Sequence, residues 1–157
     1  MAYRIDVQVV WVPTTTFVAH AFFASVEQLR NLGPAMEQIV EVASGEIAAN
    51  FAAEGRPGSW EPLAEATIRK RGSSHPILEE FGALVSDASD PSAWDISISG
   101  QAAVAALGVP EYGRFHLTGT VDMPERVWDY ISPEAEEEMD QILVDHMEAP
   151  LVDAGWH

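Results

Sequence analysis

The sequence contains no cysteine, a single lysine and no apolar run long enough to cross a membrane. Without cysteine the chain has no disulfide framework, no thiolate zinc site and no cysteine nucleophile. Near the N-terminus, Arg4 precedes a stretch of alternating apolar and polar residues where a secretory signal would have a continuous apolar segment. We therefore expect a soluble protein that is made in a reducing cytoplasm and has no membrane partner.

Basic residues are also scarce, because 8 Lys and Arg stand against 25 Asp and Glu, which gives a formal net charge of −17. Such a surface repels free nucleic acid and anionic membranes. Three roles for the acidic excess remain open: solubility, attraction of a basic protein partner, or the lining of a passage through which DNA slides without specific binding.

The length of 157 residues is typical of one domain, and a hydrophobic fraction of 47% is enough to fill a core. Alternating apolar residues predict strands at 3–12, 94–98, 102–107 and 126–130. Spacings of three and four residues predict helices at 25–32, 34–54, 62–68, 77–85 and from 133 onward. We therefore predict an α+β fold, in which a small, mainly antiparallel sheet packs against a long helix and a C-terminal helix.

The predicted domain covers residues 1–149, and residues 150–157 are expected to form a C-terminal tail. Within the domain, residues 1–24 are expected to form a β-hairpin arm. Its second half, residues 17–23, fits a returning strand through its aromatic residues and the start of a helix through its alanines. We favour the hairpin.

Five histidines invite a search for metal or catalytic sites. None has the His-Glu-x-x-His spacing that places two imidazoles on one helix face. His75 comes nearest, with Glu79 or Glu80, but it lies in a Ser-Ser-His-Pro loop; Asp145 and His146 are sequence neighbours and point to different helix faces. The chain also has no Gly-x-Ser-x-Gly elbow and no Gly-Lys-Ser/Thr phosphate loop. We predict no catalytic residue, no metal site and no cofactor, and hence no enzyme.

The main concentration of cations consists of Arg56 and residues 69–71, which bracket Trp60. An aromatic ring among cations is able to stack on nucleic acid. The net charge and the lack of further interleaved aromatics favour another interpretation. We expect a local salt-bridge surface or the docking site of an acidic neighbour in an oligomer.

From residue 50 onward, six short motifs follow one another. In order they are Asn50-Phe51, Trp60-Glu-Pro62-Leu63, the helix with Thr67, Ile77-Leu78-Glu-Glu-Phe-Gly82-Ala-Leu84, Tyr112-Gly-Arg-Phe-His116-Leu-Thr-Gly119 and Met123-Pro124-Glu-Arg126-Val-Trp128. In this order they resemble the phage virion-morphogenesis, or tail-completion, family of Mu-like phages, over about residues 45–147. The last motif is also similar to neck proteins of lambda-like phages.

The resemblance implies a virion subunit, synthesised in the host cytoplasm, that forms a homo-oligomeric ring as a head-tail connector at the head-tail junction. Its partners would be other copies of itself and portal-proximal, neck or tail proteins, with genome DNA passing through the lumen without specific binding. The resemblance makes these residues structural or interface elements: Trp60, Pro62, Leu63, Thr67, Leu78, Gly82, Leu84, Tyr112, His116, Gly119, Pro124, Arg126 and Trp128. Three alternatives stay open: a tail terminator or tail-tube-end protein, a small hydrolase using His116 or His75, and an acidic inhibitor that mimics DNA.

Physical chemistry gives several of these residues a packing role. The 60–63 motif is expected to wedge a corner between two helices, with its aromatic and leucine side chains packed and its proline fixing the chain direction. Gly82 is expected to allow close packing, and Gly119 to allow a turn.

For the polar residues Tyr112, His116 and Arg126, internal hydrogen bonding and a place at a subunit interface are equally open. Three positions depart from the residues usual in the family: Gly113 and Glu125 where it has alanine, and Trp128 where it has phenylalanine.

Overall fold

A computed structural model describes residues 2–10, 31–78, 82–99 and 102–153, and for residues 2–10 and 150–153 it describes the backbone alone. The elements in this part of the chain are β1 (Ala2–Val10), α1 (Gly33–Ala52), α2 (Glu65–Arg71), α3 (Ala83–Ala88), a 3₁₀ turn (Pro91–Ala93), β2 (Trp94–Ser99), β3 (Ala102–Pro110), α4 (Gly113–Thr118) and α5 (Pro133–Asp153). This is the α+β architecture that the sequence predicts.

The sheet has the strand order β1-β3-β2, and both outer strands run antiparallel to β3. Ala2 lies opposite Pro110 at one end of the β1–β3 ladder, and Trp94 lies opposite Leu107 in the β2–β3 ladder. The predicted strand near the N-terminus and the predicted β2–β3 pair are therefore confirmed.

The arm predicted for residues 1–24 is wrong for its first half, because β1 pairs along its length with the central strand β3. A strand that joins a sheet in this way satisfies its backbone groups there and does not project as an arm. The second half, residues 17–23, and most of the helix predicted at 25–32 lie outside the described residues.

Helix α1 is the predicted long helix and supplies much of the core. Its apolar stripe is fully buried: Ala35, Met36, Ile39, Val40, Ala43, Ile47 and Phe51. Alternate residues of β3 also enter the core, and they are Ala103, Ala105, Leu107 and Val109. Burying each of the large side chains contributes roughly 1.5–3 kcal/mol. A buried hydrogen bond from Trp94 Nε1 to Ser44 Oγ, 3.0 Å long, joins β2 to the middle of α1.

Helix α5 packs along α1 and is tied to it by polar contacts at its start. Ser132 caps the helix, since its Oγ accepts a hydrogen bond from Ala135 N at 3.2 Å. Glu46 of α1 accepts from Ser132 N at 2.9 Å and pairs with Arg56 at 3.1 Å. Burial alone would raise the pKa of Glu46, but the hydrogen bonds from Ser132 and the charge of Arg56 lower it overall. The carboxylate of Glu46 therefore stays ionised. It connects α1 to the loop that contains Arg56 and to the start of α5.

Two predicted helices begin later than expected. Helix α2 begins at Glu65, not at Pro62, because the carbonyls of residues 61 and 62 accept hydrogen bonds from a distant arginine side chain and precede the helical segment. Helix α3 begins at Ala83, whereas the prediction began it at residue 77. Leu78 has a φ of 65°, a left-handed conformation that a helix excludes, and residues 79–81 lie outside the described part.

The C-terminal helix continues through residue 153, so the tail predicted from residue 150 is wrong for its first four residues. The helical spacing of the sequence weakens near Pro150, and that loss of pattern set the predicted boundary. The backbone remains helical past this point.

Residues 126–130 do not form the predicted strand. Arg126 N donates to His116 O at 2.6 Å, and Val127 O accepts from Asn50 Nδ2 at 2.9 Å and from Trp60 Nε1 at 3.1 Å. These bonds engage Arg126 N and Val127 O, and the segment pairs with no strand of the described chain. Asn50 and Trp60, which belong to two different motifs, thus meet at one carbonyl.

Candidate functional site

A groove of about 390 Å³ lies between α2, α4 and the loops that flank them. We call it the motif groove, because most of its lining comes from the family motifs. The motif residues that line it are Leu63, Thr67, Leu78, Gly82, Tyr112, His116, Pro124 and Arg126. The remaining lining residues are Ala64, Arg71, Asp122 and Met123. The structure thus brings eight of the candidate residues, spread over more than sixty positions of sequence, into one concave surface.

Three further candidates, Trp60, Leu84 and Trp128, are buried in the core and do not line the groove. The Trp60 ring meets Phe51 edge-on, with ring centroids 5.5 Å apart, and Trp128 lies 6.1 Å from the same phenylalanine. Trp60 therefore packs against the C-terminal end of α1. Leu63, its expected companion, is only half-buried and faces the groove.

The guanidinium of Arg126 is a buried cation in the lining of the groove, with 3% of the residue exposed. Its Nε and Nη2 donate to Glu61 O at 3.1 and 2.9 Å, and Nη2 also reaches Pro62 O at 3.2 Å. Burial lowers the pKa of Arg126 and the negative charge of Glu61 partly opposes this, yet a guanidinium remains protonated. Among the described residues, no carboxylate forms an ion pair with it. Within the described residues, two carbonyl groups and the more distant charge of Glu61 compensate this buried cation, which normally needs a counter-ion in contact with it.

His116 lies beside this cation on α4. Its Nδ1 is buried and has no hydrogen-bond partner within the described part of the chain. Burial, and then the positive charge of Arg126, lower the pKa of His116, so the imidazole is neutral at pH 7. The Tyr112 ring stands edge-on to the imidazole at 6.4 Å and is 46% exposed. Of the two roles that the sequence left open, internal hydrogen bonding describes Arg126. Tyr112 is exposed to solvent, where a partner is able to reach it.

Two exposed apolar side chains, which we call the apolar rim, are next in sequence to residues that line the groove. Phe115 is 40% exposed on α4, and Val121 is fully exposed in the turn that leads to Asp122. Arg114 lies over the Phe115 ring at 4.7 Å and pairs with Glu111 at 3.0 Å. Exposed apolar groups beside a concave surface are typical of protein-binding sites. Phe115 lies within the Tyr112–Gly119 motif but is not among its candidate residues, and Val121 lies outside the motifs.

Two candidate glycines act through backbone conformation. Gly119 has a φ of 64° and precedes the Thr120–Met123 turn, as predicted. Gly82 has a φ of 70°, but a Cβ at this position would meet nothing within 4 Å. The expectation of close packing at Gly82 is therefore wrong; a left-handed conformation at the start of α3 explains the glycine.

The two departures at Gly113 and Trp128 compensate one another. Trp128 Nε1 donates to Gly113 O at 2.9 Å, and the indole lies directly over the glycine. A Cβ at residue 113 would lie 3.4 Å from Trp128 Cζ2 and 3.0 Å from Leu84 Cδ1. A methyl group at residue 113 would therefore be crowded mainly by Leu84, with the indole at the edge of ordinary contact.

The described residues include no group of three or more His, Asp or Glu placed to hold a metal ion. His75 Nδ1 lies 2.6 Å from Glu54 Oε2. The second oxygen of that carboxylate, Oε1, accepts a hydrogen bond from Ile77 N at 2.8 Å. Its suggested partners Glu79 and Glu80 lie outside the described residues. Within the described ranges, no helix is long and apolar enough to span a bilayer.

No protein-family model, no curated protein and no solved structure matches this chain. The resemblance to the phage family therefore depends on the ordered sequence motifs alone.

We expect protonation of His116 to destabilise the protein. Its folded pKa lies below the ordinary value of 6.5, so the unfolded chain binds more protons between those two values. The neutral imidazole of His116 makes its full contribution to the free energy of unfolding above pH 6.5. This contribution is lost as the pH falls towards the pKa of His116 in the folded protein. Replacing His116 with glutamine should remove this part of the slope when urea unfolding is measured from about pH 7 to pH 5. An identical slope in both proteins would contradict the assignment.

Proposed function

We propose that this protein is a ring-forming structural subunit of the head-to-tail junction of a tailed-phage virion, in the neck or as a tail-completion protein. The observation that carries the proposal is the convergence of separate motifs on one groove. Motifs that occurred by chance would not be expected to line a common surface. The groove unites the 60–63 motif, the Thr67 helix, the Leu78–Gly82 segment and both later motifs.

The chemistry of the groove supports binding to protein. Apolar side chains form much of its lining and its rim, and a buried arginine supplies a fixed donor group. Tyrosine, phenylalanine and arginine are the residue types enriched at protein interfaces. For a hydrolase, a base such as His116 would need an orienting carboxylate, and no described residue bonds to its Nδ1.

The charge of the chain supports a position beside genome DNA. With a net charge of −17, a ring of such subunits would repel the DNA backbone, so DNA would pass through with little adhesion. A ring also explains how a small subunit joins two large assemblies, since repeated heterologous contacts close around an axis.

Electron microscopy of virions made without the gene tests the proposal. We expect unjoined heads and tails or aberrant tails, and restoration of particles by the wild-type gene. Complementation with Phe115→Ser/Val121→Ser should fail, because it removes the apolar rim. The matched control is Ile98→Ser, which changes an exposed apolar residue on β2. Normal infectious particles without the gene would overturn the proposal, and tails that carry the protein before meeting heads would place it at the tail end.

A further inference from the structure

Helix α2 is an exposed, basic element beside the motif groove. None of its seven residues is buried, and its last turn contains Arg69, Lys70 and Arg71. These cations make no ion pair with any described residue. An isolated helix of this length is not stable in water, so burial against a partner would stabilise it. Because Arg71 also lines the groove with the buried Arg126, the surface suits a partner that supplies carboxylates.

Helix α5 presents such carboxylates outside its buried stripe. Glu134, Glu137 and Glu138 are exposed in its first two turns, and they pair with no cation of the described chain. Val144, which is 37% exposed, lies seven residues beyond Glu137 on the same side of the helix and is available for an apolar contact. This face shares no residue with the groove.

We propose that the motif groove and helix α2 receive the acidic outer face of helix α5 from a second copy of the chain. A carboxylate of that copy faces Arg71, and Val144 meets the exposed apolar side chains of Phe115 and Val121. The contact is heterologous, because different surfaces meet, so repetition leads to a ring or a filament. This inference builds on the ring in the proposed function and identifies the two faces that join.

A charge swap tests the contact. One variant carries Lys70→Glu/Arg71→Glu, and the other carries Glu137→Lys/Glu138→Lys. Each alone should raise the Kd for self-association by about tenfold or more, measured by sedimentation at low ionic strength. Mixing the two variants should restore association, because the acidic α2 of one meets the basic α5 of the other. The control Glu37→Lys/Asp87→Lys changes exposed acids elsewhere by the same charge as the α5 variant and should associate like the wild type.

Circular dichroism of each variant establishes that the helices remain folded. A wild-type protein that stays monomeric would overturn the inference, and so would variants that associate normally or a mixture that fails to restore association. If rings form but do not respond to these changes, the inference is wrong while the proposed function stands. If virions without the gene are normal, the proposed function is wrong whatever the charge swap shows.

Discussion

Replacing Trp128 with alanine is expected to lower the free energy of unfolding by about 3–5 kcal/mol. The indole is completely buried, lies 6.1 Å from the Phe51 ring and donates a hydrogen bond to Gly113 O. Removing it leaves a cavity beneath the motif groove and a buried carbonyl without its donor. Urea unfolding followed by circular dichroism measures the change. A loss below about 1 kcal/mol would show that the ring is not packed as described.

A double-mutant cycle provides the control for this packing. Trp128→Phe keeps most of the ring and should cost less than Trp128→Ala. Gly113→Ala should destabilise the wild type by about 1–3 kcal/mol, because the added methyl group meets Leu84 and the indole. The same change should cost less in the Trp128→Phe protein, which lacks the far edge of the indole. Additive effects would mean that the two positions do not compensate one another.

The elements with strong local patterns could be predicted from the sequence. The stripe from Met36 to Phe51 repeats at helical spacing, and Trp94, Ile96 and Ile98 alternate as a strand does. Pro133 after a capping serine marks the start of α5. Each of these signals lies within one segment, so it can be recognised without knowledge of the tertiary structure.

The segment at 126–130 was mispredicted because its conformation depends on distant groups. Its alternation of Arg126, Val127 and Trp128 resembles a strand, but Asn50 and Trp60 hold one of its carbonyls. These donors are more than sixty residues away, and no local pattern reveals them. Tertiary hydrogen bonds thus replaced the ladder that the alternation suggested.

The candidate site could be predicted as a set of residues but not as a surface. The order of the motifs selected Tyr112, His116 and Arg126, and the fold brings them together in the groove. Whether a residue lies at the floor or the rim depends on the packing of several segments. For that reason the exposure of Phe115, which is in a motif but not among its candidate residues, and of Val121, which is in none, emerged only with the structure.

Replacing Gly55 with alanine is expected to cost roughly 2–5 kcal/mol of stability. Gly55 has a φ of 115°, which alanine rarely adopts, and it terminates α1 through a hydrogen bond to Asn50 O. A Cβ there would lie 2.6 Å from Gly58 O and from Trp60 N. These are backbone atoms, so the loop itself would have to move and Trp60 with it. The shift would also disturb the bond from Trp60 to Val127 O, which anchors the segment beside the groove.

Gly58→Ala is the matched control for this prediction. It lies in the same loop, but a Cβ at residue 58 meets nothing within 4 Å, and its φ is not in the left-handed region. We expect a change within about 0.5 kcal/mol. The two variants, compared by urea unfolding and by the fluorescence of the buried tryptophans, separate a steric effect at Gly55 from a general loss of loop flexibility. Equal destabilisation by both variants would contradict the close approach of Gly55 to Trp60. It would also contradict the proposed effect of Gly55, at the end of α1, on the hydrogen bond from Trp60 to Val127 O.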